Sequence, residues 1–111
     1  MGITYYNSNP IPVEYTEKEM KEKVLIFIKN VEGEFSFRTL SNYVVQTAMN
    51  EQKVKDAAHT QYSSNEMDSL SSIQLSKILW ELIWDKKLFI AFGENPYMAH
   101  YACDTRFVVV K

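Results

Sequence analysis

The sequence predicts an α+β domain in which three or more helices precede a C-terminal β-hairpin. Three observations predict it. The chain has 111 residues, the usual size of one domain, and 46 % of them are apolar, enough to fill a core. Only three Gly and three Pro occur, which suits helices with a small sheet better than a many-stranded sandwich. Apolar residues recur at helical spacing in successive stretches up to residue 87, and β-type runs follow.

Residues 1–15 read as an extended arm and 16–111 as the domain proper. Ile3–Tyr6 is β-favouring and Asn7–Pro10 is a turn cluster. Ile11, Val13 and Tyr15 then alternate around Pro12, which allows an edge or an arm but forbids a central strand. The first helix starts at a capping box, Thr16 with Glu19, and carries Met20, Val24, Phe27, Ile28 and Val31 on one stripe. Glu32-Gly33 ends it, with Gly33 free to take a positive φ.

Phe35 is expected in a very short strand, and Ser36 caps a second helix that aligns Phe37, Leu40, Tyr43, Val44, Thr47 and Ala48. The pattern weakens after Asn50. Val54, Ala57 and Ala58 either prolong this helix or form a short one, and residues 59–69 read as a polar loop. A third helix is expected over about residues 72–87, opened by a box of Ser71 with Gln74 and closed by Lys86-Lys87. Leu88–Phe92 and Arg106–Val110 are β-type runs, separated by turn chemistry at Gly93–Pro96.

This order of elements resembles the winged-helix domain. Gly33–Leu40 is similar to the short strand entering the second helix, and Ser72–Ile90 to the third helix running into the first wing strand. The resemblance covers residues 16 to 111 as a pattern of elements. It departs from the family between Asn50 and the third helix, where winged helices use a short turn. The resemblance implies either binding of duplex DNA, with the third helix in the major groove, or a protein-interaction module.

At about 100° per residue, Leu75, Ile78, Leu79 and Leu82 of the third helix face one way. Ile73, Trp80 and Trp84 gather opposite them, beside Lys77 and Lys87, with Glu81 and Asp85 on the flank. A helix that reads base edges offers Arg, Lys, Asn, Gln or Ser, and two Trp with two carboxylates are a poor substitute. Such an apolar back face is covered either by its own chain or by a partner. The arm or the segment 50–69 is the expected cover. Left open, the tryptophans are typical binding anchors.

Residues 93–105 lack Lys and Arg but contain Glu94 and Asp104, so they are ill-suited to gripping phosphates. Their aromatics Tyr97 and Tyr101, with Met98, suit a protein contact or a return to the core. Arg38, Lys53, Lys55 and Lys77 are the cations that can converge on one face, with Lys87 near. His100 and Cys103 have H-x-x-C spacing, but a zinc site wants four ligands and no second Cys exists. Cys103 as a nucleophile needs an activating base and a depressed pKa, neither of which a sequence can show.

The balance of 12 basic and 14 acidic residues does not mark a free-standing nucleic-acid binder. One cysteine permits no internal disulfide, the apolar runs are too short to cross a bilayer, and no signal peptide is visible, so a cytoplasmic setting is expected. The leading expectation is a non-enzymatic protein-interaction module without cofactor or metal, self-association included, using Ile73, Trp80, Trp84, Tyr97 and Tyr101. The alternative is a DNA-binding transcriptional regulator making backbone contacts through Arg38, Lys53, Lys55, Lys77 and Lys87.

Overall fold

The Thr16 box forms as the sequence demands: the Glu19 N–H donates to Thr16 Oγ1, and the Glu19 carboxylate accepts from the Thr16 N–H. In the computed structural model, which describes residues 5–7, 9–62, 64–92, 101 and 103–110, this box opens α1 (Glu17–Asn30). Met20 and Val24 are buried, and Phe27, Ile28 and Val31 pack at the edge of the core. Gly33 takes φ +80°, turning the chain into β2 (Glu34–Ser36). Ser36 then caps α2 (Phe37–Asn50) by accepting from the Thr39 N–H.

The third helix, α3, spans Ser69–Trp84 and is followed by β4 (Leu88–Phe92) and β5 (Arg106–Val109). These two strands join β2 in an antiparallel sheet in the order β2-β5-β4. Phe35 pairs with Phe107, and Phe107 with Ile90, so one face of the sheet turns its apolar residues to the helices. There Phe35 stacks on Phe107 at 5.5 Å between ring centroids and meets Phe27 edge-on at 5.2 Å. The architecture is thus α+β, three helices with a small antiparallel sheet.

The arm is part of this core. Ile11 and Tyr15 are buried in the same cluster as Leu40, Leu75 and Phe107. The backbone of Ile11 brackets Met67: its N–H donates to Glu66 O at 2.7 Å, and its carbonyl accepts from the Asp68 N–H. Val13 bridges to Val54 in the opposite sense. Further out, β1 (Tyr5–Asn7) pairs in parallel with β3 (Thr60–Tyr62).

The stretch expected as loop therefore holds a short strand and one further bridge, at Met67. Its physical role is to supply hydrogen-bond partners to an arm that Pro12 bars from a regular sheet. Residues 51–59 form turns and do not extend α2.

The expected start of the third helix is corrected. Asp68 is the N-cap, accepting from the Ser71 N–H at 2.9 Å, and the helix begins three residues earlier than the spacing of Ser71 and Gln74 suggested. Those two side chains hold the arm instead. Ser71 Oγ accepts the Val13 N–H at 2.9 Å, and the Gln74 amide donates to the Tyr15 carbonyl at 3.1 Å.

The expected end shifts as well. The Lys86 N–H donates to Ile83 O and the Lys87 N–H to Leu82 O, which is a Schellman closure with Lys86 at φ +60°. The same closure ends α2, with Gln52 at φ +57°. No described helix is long and apolar enough to cross a membrane.

Candidate functional site

α3 is two-sided. Leu75, Ile78, Leu79 and Leu82 are buried. One flank is taken by the arm and α1, through Gln74 to Tyr15 and through Glu81, whose carboxylate lies 3.5 Å from Lys21 Nζ. The other flank is open. Trp80 is 55 % exposed and Trp84 80 %, with Ile73 and Ile83 half-buried beside them.

The expected cover is absent because the arm and residues 51–68 pair with each other, at the far flank and N-terminal end of the helix. Trp80, Ile83, Trp84 and Lys86 line an open, largely apolar groove of about 390 Å³. Lys86 enters it through the left-handed turn that ends α3.

Comparison with family models, with curated proteins and with solved structures finds no match to this chain.

Tyr101 requires a correction. It is not an exposed anchor but a core residue, with its ring edge-on to Phe107 at 5.1 Å and tilted against Phe37 at 6.1 Å. Its N–H donates to Ser76 Oγ at 3.0 Å, and burial pushes its phenol above the usual range. Tyr97 and Met98, like His100, lie outside the described residues.

The basic residues do not form one patch. Arg38 is exposed in the first turn of α2, whereas Lys53 and Lys55 follow its last turn, so about 18 Å of helix separates them. Lys53 Nζ also lies 3.6 Å from Glu19. Lys77 is exposed on α3, on the side of the tryptophans, and Lys87 is exposed just beyond the turn that ends the helix. Arg106 is paired with Glu34 on the sheet.

A second cavity, about 520 Å³, opens between the start of α2 and the start of α3 over Tyr101 and Met67, with Arg38, Ser72 and Cys103 at its walls. The Cys103 thiol is exposed. Among the described residues no group of three or more His, Cys, Asp or Glu is placed to hold a metal ion.

Sequence reasoning found Trp80 and Trp84 but missed Ile83 and Lys86 as their neighbours. The missed signal was the stop of α3. A helix run through Lys87 places Lys86 by helical rotation, whereas the left-handed turn swings it back beside Trp80 and Trp84.

Proposed function

We propose that this chain is a non-enzymatic protein-interaction module on a winged-helix-like scaffold, with self-association among its modes. The observation that carries the reading is the exposure of Trp80 and Trp84 on one flank of α3, around an apolar groove. Large exposed indoles grouped on a rigid helix are typical hot-spot anchors. The scaffold reading is supported by the order α1-β2-α2-α3-β4-β5 and by the antiparallel β2-β5-β4 sheet. Against it stands the segment 51–68, longer than the turn such domains use. A free, exposed Cys103 fits a reducing, cytoplasmic setting.

The second reading, a DNA-binding regulator, draws on Lys77 and Lys87 along α3 and on Arg38, none of which has an acidic partner among the described residues. It loses Lys53 and Lys55 to the opposite end of α2.

Sedimentation of the wild type and of Trp84→Ala, beside fluorescence anisotropy with duplex DNA at two salt concentrations, separates the two. The interaction reading expects weak, sequence-indifferent DNA binding. Tight, salt-sensitive and sequence-selective DNA binding that Lys77→Glu abolishes would overturn it.

A further inference from the structure

Resting on the reading of Trp80 and Trp84 as an interaction surface, we propose that their groove takes an acidic amphipathic segment of another protein. The groove is walled by two indoles and Ile83, with Lys86 completing its lining. Around it the charge is lopsided. Lys77, Lys86 and Lys87 are exposed and have no acidic partner among the described residues. Of the two carboxylates on the flank, Glu81 is held by Lys21 at 3.5 Å, which leaves Asp85. This local excess of cations sits on a chain whose formal net charge is -2.

The turn that ends α3 sets where Lys86 stands. Lys86 occupies a left-handed conformation, φ +60°, that glycine adopts without strain and a lysine does not. The same residue lines the groove beside the tryptophans.

Charge and size together select the occupant. A second copy docked by a two-fold axis meets the same patch, so Lys77, Lys86 and Lys87 would face their own copies across the seam. A volume of about 390 Å³ lies near the small end of ligand pockets, room for one or two apolar side chains rather than for a globular face. A helix or strand that seats one apolar residue between the indoles and lays carboxylates against the lysines satisfies both conditions.

Trp80 and Trp84 are the chain's two tryptophans, so intrinsic fluorescence reports this surface directly. The test titrates the full chain with three synthetic amphipathic peptides that share one leucine face and carry glutamate, lysine or glutamine on the other. The glutamate peptide is expected to shift the emission to the blue and to bind about tenfold tighter than the lysine peptide, with the gap closing as salt rises. Lys77→Glu with Lys86→Glu should reverse that order, and Trp84→Ala should abolish the tight phase. All three substitutions fall on exposed residues, and circular dichroism checks that the fold is kept.

Equal or tighter binding of the lysine or glutamine peptide overturns the acidic class while the interaction reading stands. Concentration-dependent self-association that Trp84→Ala breaks, with no peptide bound, makes a second copy the occupant and also overturns the inference alone. A monomer that binds none of the three peptides brings down both.

Discussion

The Tyr15 hydroxyl donates to Glu51 Oε1 at 2.5 Å, joining the end of the N-terminal arm to the residue that closes α2. The other oxygen of the same carboxylate accepts from Lys23 Nζ at 2.7 Å, and that ammonium lies 5.7 Å from the centre of the Tyr15 ring. Three elements thus meet on one carboxylate. Burial, and then the anion it faces, hold the Tyr15 phenol far above its usual range, so it remains a donor at any ordinary pH.

Tyr15→Phe is expected to keep the ring's packing and lose the donor, at a cost of about 1 kcal/mol. The Lys23 hydrogen bond, followed by that of Tyr15, holds the Glu51 carboxyl below its ordinary range. Its contribution is therefore present above the ordinary carboxylate pKa and is lost as the pH falls through the lowered folded value. Denaturant melts across the acid range should show Glu51→Gln with a flatter pH dependence than the wild type. Parallel curves for the two would refute the linkage.

Leu79 and Leu82 face the core from α3 without solvent contact worth noting. Leu79→Ala should lower unfolding stability by about 2–5 kcal/mol through lost transfer energy and the cavity left behind. A loss below about 1 kcal/mol in a urea titration would contradict the burial.

Ser71 and Asp68 divide two tasks that one capping box would have combined. Asp68→Ala removes the α3 cap and should cost about 1 kcal/mol. Ser71→Ala leaves the cap in place but strips the Val13 N–H of its partner, at about 1–3 kcal/mol. Amide hydrogen exchange distinguishes them: the first variant speeds exchange in the opening turn of α3, the second at Val13.

Lys86→Gly relieves the left-handed backbone and should raise stability by about 1 kcal/mol. The same change removes the lysine side chain from the groove's lining. A gain in melting temperature coupled to weaker binding of an acidic peptide is the expected pair of results.

Much of this architecture was legible from residues whose influence is local. Thr16 with Glu19, Ser36, and the apolar stripes of α1 and α3 act within one or two turns, and the structure follows them. Val13, Ser71 and Gln74 were illegible for the opposite reason. Ser71 and Gln74 have the chemistry of a helix cap, yet their partners lie 58 and 59 residues away in the arm. Spacing within a helix carries no record of that demand. The tryptophan face was readable as a face, because rotation about α3 sets it. Whether the face was covered depended on where the arm ran, and Pro12 and Val13 do not say. Tyr101 looked like a tip residue because it stands with Tyr97 and Met98 in the run between two β-type segments. The ring pocket of Phe37 and Phe107 that receives it comes from two distant elements.

The bond from Val13 to Ser71 also fixes an order of events during synthesis. Ile11, Val13 and Tyr15 leave the ribosome long before Ser71 and Gln74, and at about 5–20 residues per second the delay lasts seconds. Through that interval Ile11 and Tyr15 have no α3 to cover them, and α1 and α2 can pair only with each other. The arm then closes a loop of more than half the chain, a non-local step that slows folding relative to a simple helical bundle.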